Sequence, residues 1–154
     1  MAFQLIVAGF AEGATIPKRH TSEGQDLSPA LRWSGVPTGV KSFALILDDP
    51  DAPAGTWNHW LLWDIPASAT SLGEAARAGG KNGGVSGVND FGRPGYGGPC
   101  PPPGHGPHRY FFKLFALNVS PLGLRAGAKR AELDRALKGR VLAEARYMGR
   151  YERK

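Results

Sequence analysis

The chain has 154 residues, the size of one domain built around one hydrophobic core. Hydrophobic residues make up 42% of it and charged residues 21%, a globular balance that argues against disorder. No apolar run approaches the roughly 18 residues that a membrane-spanning helix needs, which excludes an integral helical membrane protein. We therefore expect one soluble domain covering residues 1–154.

The net charge of +6 comes from the C-terminal end of the chain. Residues 1–124 carry 9 Lys and Arg against 9 Asp and Glu, whereas residues 125–154 carry 10 against 4. These basic residues alternate with apolar ones at helical spacing, which is typical of the solvated face of a helix. We expect no nucleic-acid partner; a contact with nucleic acid or an anionic membrane is the alternative.

Short apolar runs bounded by Gly, Pro, Asp and Asn predict strands over residues 3–8, 42–47, 59–65 and 109–117. Because no Lys or Arg precedes the first run, we interpret it as a strand rather than the core of a signal peptide. A single cysteine, Cys100, cannot form an intrachain disulfide, which favours a cytoplasmic location.

No long amphipathic helix separates these strands, so the fold class is mostly β, an antiparallel sandwich of two sheets. Helix is predicted late in the chain. Apolar residues recur at three-to-four spacing over residues 128–145, and Gly139 would divide this stretch into two short helices. A last strand is predicted over residues 147–152.

Residues 79–106 form a long segment that is rich in glycine and proline. It contains 11 of the 22 glycines and 5 of the 13 prolines, which excludes a helix or a central strand. A loop of this length inside one domain is either functional or disordered. Because it leads directly into a strongly apolar strand, we expect an ordered loop that carries function.

Three carboxylates, Asp48, Asp49 and Asp51, follow the second strand within four residues. They repel one another unless a cation, a hydrogen-bond donor or a proton relieves them. A surface acidic turn is the simpler interpretation, and a site for a metal or a polar ligand needs partners from other segments. Asp51 and Arg109 are candidates for a salt bridge.

Histidines supply such partners. His59 opens a strand six residues after Pro53, although a histidine among tryptophans is often a hydrogen-bonded core residue. His108 and Tyr110 are two apart at the start of a strand, so their side chains share one face. Pro107 lies between His105 and His108 and suggests that these two imidazoles point in different directions.

The glycines and prolines of residues 96–104 leave few side chains to crowd a ligand, and their peptide N–H groups suit a phosphate or carboxylate oxygen. Neither a Walker loop nor a G-x-S-x-G nucleophile elbow occurs in the sequence.

Five segments in order resemble the phosphatidylethanolamine-binding protein family, and most closely its bacterial and archaeal Raf-kinase-inhibitor-like branch. They are residues 27–33 (LSPALRW), 49–53 (DPDAP), 57–59 (WNH), 96–102 (YGGPCPP) and 104–110 (GHGPHRY). The similarity runs from about residue 3 to residue 151, and it too places a helix over residues 141–145.

The resemblance implies a two-sheet β-sandwich with a small pocket for phosphate or a phosphorylated headgroup. Eukaryotic members usually have glycine at the position of Cys100, so a thiol is added at the pocket rim here. They also carry a further C-terminal helix over the pocket, which we expect to be absent from this chain. The implied ligand-binding residues are Asp49, His59, Gly98, Cys100, Pro101, His108 and Tyr110.

We therefore expect a phosphate-group binding module that modulates a partner, without a metal, a cofactor or catalytic residues. One alternative is a kinase or protease inhibitor that acts through an exposed Gly/Pro loop. Another is a metal-assisted hydrolase that uses Asp49, Asp51, His59 and His108. We expect phosphate-type ligands to bind better below about pH 6.5, the ordinary pKa of histidine. A homodimer is left open.

Overall fold

The chain folds into two antiparallel β-sheets that pack face to face. The computed structural model describes residues 2–154. Its elements are a short 3-10 helix (Lys18–His20), the α-helix α1 (Arg130–Leu137) and the strands β1 (Gln4–Val7), β2 (Leu31–Ser34), β3 (Ser42–Asp49), β4 (Trp57–Pro66), β5 (Ser71–Leu72), β6 (Val85–Ser86), β7 (His108–Leu117) and β8 (Val141–Tyr151).

One sheet has three strands in the order β1-β2-β5, and the other has five in the order β6-β4-β3-β7-β8. Every neighbouring pair of strands is antiparallel. The antiparallel two-sheet sandwich predicted from the sequence is confirmed.

The central strands of the larger sheet, β3 and β4, are buried on both faces. One face packs against the three-stranded sheet, and its inward side chains include Leu45, Trp60 and Phe112. The other face, which includes Ile46 and Trp63, is covered by α1 and the segment before it. A strand that is buried on both sides needs apolar side chains at successive positions, which explains the unbroken apolar run over residues 43–47 of β3.

The C-terminal part of the predicted helical region is a strand. A single α-helix is present among residues 2–154, and Gly139, at φ 78°, follows its C-cap rather than dividing two helices. Residues 141–145 belong to β8, which pairs with β7 along its length. The prediction of a second helix is therefore wrong. Val141 and Leu142, which complete the apolar helical period, do not face a core but are 42% and 41% exposed on this strand.

Residues 2–154 include no helix with the length and apolar character that crossing a bilayer requires.

Two Leu→Ala substitutions test this assignment of core and surface. Leu45→Ala removes a fully buried side chain between the sheets and should lower the free energy of unfolding by about 2–5 kcal/mol. Leu142→Ala, the matched control on β8, should change it by less than about 0.5 kcal/mol. Urea unfolding of both variants measures the difference, and a large loss in Leu142→Ala would contradict the strand assignment.

Candidate functional site

A cavity of about 190 Å³ lies at the end of the larger sheet where β3 ends and β4 and β7 begin. Its polar lining comes from these strand ends, and its apolar lining comes mostly from loops. The lining residues are Asp49, Ala52, Pro53, Trp57, His59, Phe91, Cys100, Pro101, Pro102, His108 and Tyr110. Six of the seven residues proposed from the sequence therefore meet at one cavity, and Gly98 does not line it.

A β-bulge turns His59 into the cavity. Leu47 of β3 pairs with Trp60 of β4, and the next residue, Asp48, pairs with Asn58, so His59 is the extra residue. Bulges of this kind re-aim a side chain that regular alternation would send to the other face. Trp60 packs in the core between the sheets while the adjacent His59 lines the cavity that adjoins it.

Asp49 is buried, and both of its carboxylate oxygens accept hydrogen bonds. His108 Nδ1 donates to Asp49 Oδ2 at 2.6 Å, and the Asp51 N–H donates to Asp49 Oδ1 at 2.7 Å. His108 and Tyr110 both line the cavity from the same face of β7. The carboxylate therefore fixes the orientation of the His108 ring.

His59 is held by the backbone. Its Nδ1 donates to the carbonyl oxygen of Gly97 at 2.7 Å, since a carbonyl can only accept. The ring lies between the rings of Tyr110 and Phe91, with centroid distances of 5.3 and 5.4 Å. Burial lowers the pKa of His59 below 6.5, so near neutral pH its Nε2 is an unprotonated acceptor.

Two donors in the cavity wall have nothing to donate to. Within residues 2–154, neither Tyr110 Oη nor Trp57 Nε1 has a hydrogen-bond partner, although both atoms are buried. Burial, followed by the charge of Asp49 and the approach of its carboxylate to the hydroxyl, raises the pKa of Tyr110, so the phenol keeps its proton. That approach does not have the geometry of a hydrogen bond. A buried unsatisfied polar group costs roughly 1–3 kcal/mol. Trp60 Nε1 is a third buried donor without a partner in the described chain, but it does not line the cavity.

Hydrogen bonds from other segments hold the Gly/Pro loop in place beside the cavity. The Gly98 N–H donates to Asp26 Oδ1 at 2.8 Å, and Arg153 Nε donates to the carbonyl oxygen of Pro101 at 2.6 Å. The prediction that Gly98 offers a free N–H to a ligand is therefore wrong, because Asp26 already accepts it. Sequence reasoning also missed Asp26 and Arg153 as anchors, since no local pattern links them to residues so far along the chain.

The expected divergence of His105 and His108 is wrong as well. His105 Nδ1 lies 2.6 Å from His108 Nε2, and the two rings meet edge to face with centroids 4.9 Å apart. Pro107 does not separate them, because the loop turns back at the glycines on either side of His105. His105 itself is exposed.

The predicted pair of Asp51 and Arg109 is confirmed. The backbone N–H of Arg109 and its side-chain Nε and Nη2 all donate to the Asp51 carboxylate at 2.8–2.9 Å. These side-chain hydrogen bonds lower the pKa of Asp51 to about 2. Asp51 does not line the cavity, so its carboxylate stiffens the turn beside it.

The part of the chain that the structure describes, residues 2–154, holds no group of three or more His, Cys, Asp or Glu side chains arranged to bind a metal ion. The four residues of the metal-site alternative do not converge as ligands. Asp49 is hydrogen-bonded to His108 on one side and to the Asp51 N–H on the other, while Asp51 is turned to Arg109.

The chain is similar to known proteins over most of its length. The sequence profile of the phosphatidylethanolamine-binding protein family matches residues 7–152. The chain belongs to this family. A UPF0098 protein of Aquifex aeolicus is 52% identical to it over 145 residues, which is 94% of this chain and 85% of the relative.

Two crystal structures of the family superpose on the whole chain. Escherichia coli YbcL, described as a new member of the mammalian PEBP family, has a TM-score of 0.91 at 38% identity, and 99% of each chain is covered. A phosphatidylethanolamine-binding protein homologue from Chlamydia trachomatis has a TM-score of 0.90 at 37% identity, again with 99% of each chain covered. The family predicted from the five segments is confirmed.

The lowered pKa of His59 makes a prediction for stability. Between pH 7.5 and 5 the unfolded chain takes up a proton at His59 more readily than the folded protein does, so falling pH destabilises the fold. His59→Gln cannot titrate, yet its amide can donate to the same carbonyl. The free energy of unfolding of the wild type should therefore fall relative to that of His59→Gln as the pH decreases from 7.5 to 5, measured by urea unfolding. A constant difference would show that His59 titrates normally.

Proposed function

We propose that this protein is a binding module for the phosphate group of a small ligand. The observation that carries the proposal is the buried Tyr110 hydroxyl, which makes no well-formed hydrogen bond within residues 2–154 and belongs to a residue that lines the same cavity as His59. A buried donor without an acceptor is satisfied when a ligand brings one. Phosphate oxygens are strong acceptors.

The other donors favour the same ligand chemistry. Trp57 Nε1 can only donate, and it too is buried without an acceptor in the described chain. His59 Nε2 becomes a third donor when the ring is protonated, because Nδ1 is already bound to Gly97. Phenol, indole and imidazolium around one small space together suit an oxyanion better than a neutral or cationic group.

Asp49 sets the condition under which an anion can enter. Its negative charge would repel a phosphate, and its hydrogen bonds with His108 and the Asp51 N–H offset this repulsion in part. Protonation of His59 supplies the further positive charge. We therefore infer that phosphate binding is accompanied by proton uptake.

The size and walls of the cavity favour a small ligand. At about 190 Å³ it is smaller than the roughly 300–1,000 Å³ of most small-molecule sites. Phe91, Pro101 and Pro102 supply apolar surface, which lowers the local dielectric constant and strengthens hydrogen bonds to charge. Inorganic phosphate and the phosphoethanolamine headgroup, to which the family name points, share the required chemistry.

We propose binding without turnover, and the inhibitor alternative gains no support from the loop. Gly97, Gly98, Pro99 and Pro101 are buried, and the Pro99 carbonyl oxygen accepts a hydrogen bond from the Ser22 N–H. This part of the loop therefore does not project as an inhibitory segment would.

Tyr110→Phe tests the observation on which the proposal rests. Removing a hydrogen bond to a charged ligand should weaken binding of inorganic phosphate about 10- to 100-fold, which corresponds to about 1.5–3 kcal/mol. Isothermal titration calorimetry at pH 6, with phosphate and with phosphoethanolamine as separate ligands, measures the loss and distinguishes the two sources.

The matched control is Tyr147→Phe. Tyr147 Oη donates to the Phe10 carbonyl oxygen, away from the cavity, so phosphate affinity should not change in this variant. Equal affinities in wild type and Tyr110→Phe would contradict the proposal.

The pH dependence of anion binding is the second test. Sulfate is the better probe, because its charge is constant between pH 7.5 and 5.5 whereas that of phosphate changes. Burial holds His59 neutral at pH 7.5, and the bound dianion favours its protonated form, so sulfate affinity should rise as the pH falls. The rise should be shallower in His59→Gln. An affinity that does not vary with pH would refute the coupling between proton and anion.

A further inference from the structure

Both nitrogens of the His108 ring are already engaged within the chain. Nδ1 contacts Asp49 Oδ2 at 2.6 Å, and Nε2 contacts His105 Nδ1 at 2.6 Å. His108 lines the cavity, yet in this arrangement it has no free N–H to offer a ligand. Something must change before His108 can contact an anion.

Which atom donates in each of these two hydrogen bonds follows from which atom can only accept. The Asp49 carboxylate can only accept, so His108 Nδ1 donates to it. When both rings are neutral, His108 Nε2 carries a lone pair and accepts a proton from His105 Nδ1–H. When the pair takes up one proton, His108 carries it at Nε2 and neutral His105 carries its own proton at Nε2 instead of Nδ1. The direction then reverses, and His108 Nε2–H donates to His105 Nδ1.

The two histidines differ in their freedom to move. The side chains of His108 and Asp49 are 2% and 4% exposed, so they are fixed in the wall of the cavity. His105 is exposed on the loop before β7, and the glycines on both sides of it, Gly104 and Gly106, have positive φ angles and open space around them. His105 is therefore the partner that can leave.

We propose that His105 is a displaceable cap on His108, which an entering phosphate oxygen replaces at Nε2. The inference rests on the proposed function and assigns its regulation to a residue outside the cavity lining. Besides the proton that His59 takes up, binding takes one proton from solvent onto His108 Nε2, breaks the hydrogen bond between the two imidazoles, and forms one from His108 Nε2–H to the anion.

Acid opens the cap without a ligand. Two protonated imidazoles cannot share a hydrogen bond and repel each other, so His105 turns to solvent when both rings are charged. Of the charged groups around the pair, the Asp49 carboxylate contacts His108 directly. The other titratable or charged groups around the pair are Asp51, His59, Cys100, Arg109, Tyr110 and Arg153.

The tautomers of the two histidines test the contact directly. In protein prepared without phosphate or sulfate at pH 7.5, nitrogen NMR of the imidazoles should show both rings protonated at Nδ1 alone. The His108 Nε2 resonance should shift when His105 is replaced by alanine, because its hydrogen bond is lost. A His108 Nε2 resonance that does not respond to His105→Ala would overturn the cap.

Phosphate affinity tests the consequence. His105→Ala should bind inorganic phosphate about ten-fold more tightly than wild type at pH 7.5, the change expected for one competing hydrogen bond of about 1.4 kcal/mol. The difference between the two affinities should become smaller as the pH is lowered to 5.5, because two charged imidazoles cannot keep the hydrogen bond between them. Pro103→Ala is the matched control, since Pro103 is exposed on the same loop; its affinity should equal that of the wild type at both pH values.

The outcomes separate the two proposals. Equal or weaker phosphate binding by His105→Ala at pH 7.5, with wild type still binding, would overturn the cap and leave the phosphate site intact. Absence of binding by every variant from pH 5.5 to 7.5 would overturn the proposed function and the cap together. Thermal unfolding of His105→Ala verifies that this exposed substitution leaves the fold unchanged.

Discussion

One extra residue in β4 decides the chemistry of the cavity. Regular alternation would place His59 on the same face as Leu61 and Trp63, against the layer that contains α1. The bulge instead gives His59 the face of Trp60, beside Tyr110 and Asp49 at the ends of the neighbouring strands. An imidazole, a phenol and a carboxylate from three adjacent strands thereby share one small space.

The charged carboxylate of the site has hydrogen-bond partners, whereas two neutral donors have none in the part of the chain that the structure describes. Asp49 has both carboxylate oxygens hydrogen-bonded, whereas Tyr110 Oη and Trp57 Nε1 are buried with no acceptor in residues 2–154. Unmet donors destabilise the fold, and the apolar layers on both sides of the larger sheet offset that cost. This arrangement supports the proposal that the cavity is organised in advance for a ligand that accepts hydrogen bonds.

Much of the fold and of the cavity lining could be predicted from the sequence, and the predictions that were wrong or missing have physical causes. Alternation places His108 and Tyr110 on one face, and family motifs select the residues that line the cavity. The bulge at His59 and the anchor from Asp26 to Gly98 depend on strand register and on contacts between distant segments. The apolar spacing through Val141 and Leu142 resembles a helix, but β7 offers a full ladder of backbone hydrogen bonds, and pairing outweighs local periodicity.

The most direct test of the central claim is a crystal structure of the protein grown at pH 6 in the presence of inorganic phosphate. We expect tetrahedral density in the cavity, with one oxygen within hydrogen-bond distance of Tyr110 Oη and another near His59 Nε2. Phosphate bound elsewhere on the surface, with the cavity still holding only water, would contradict it.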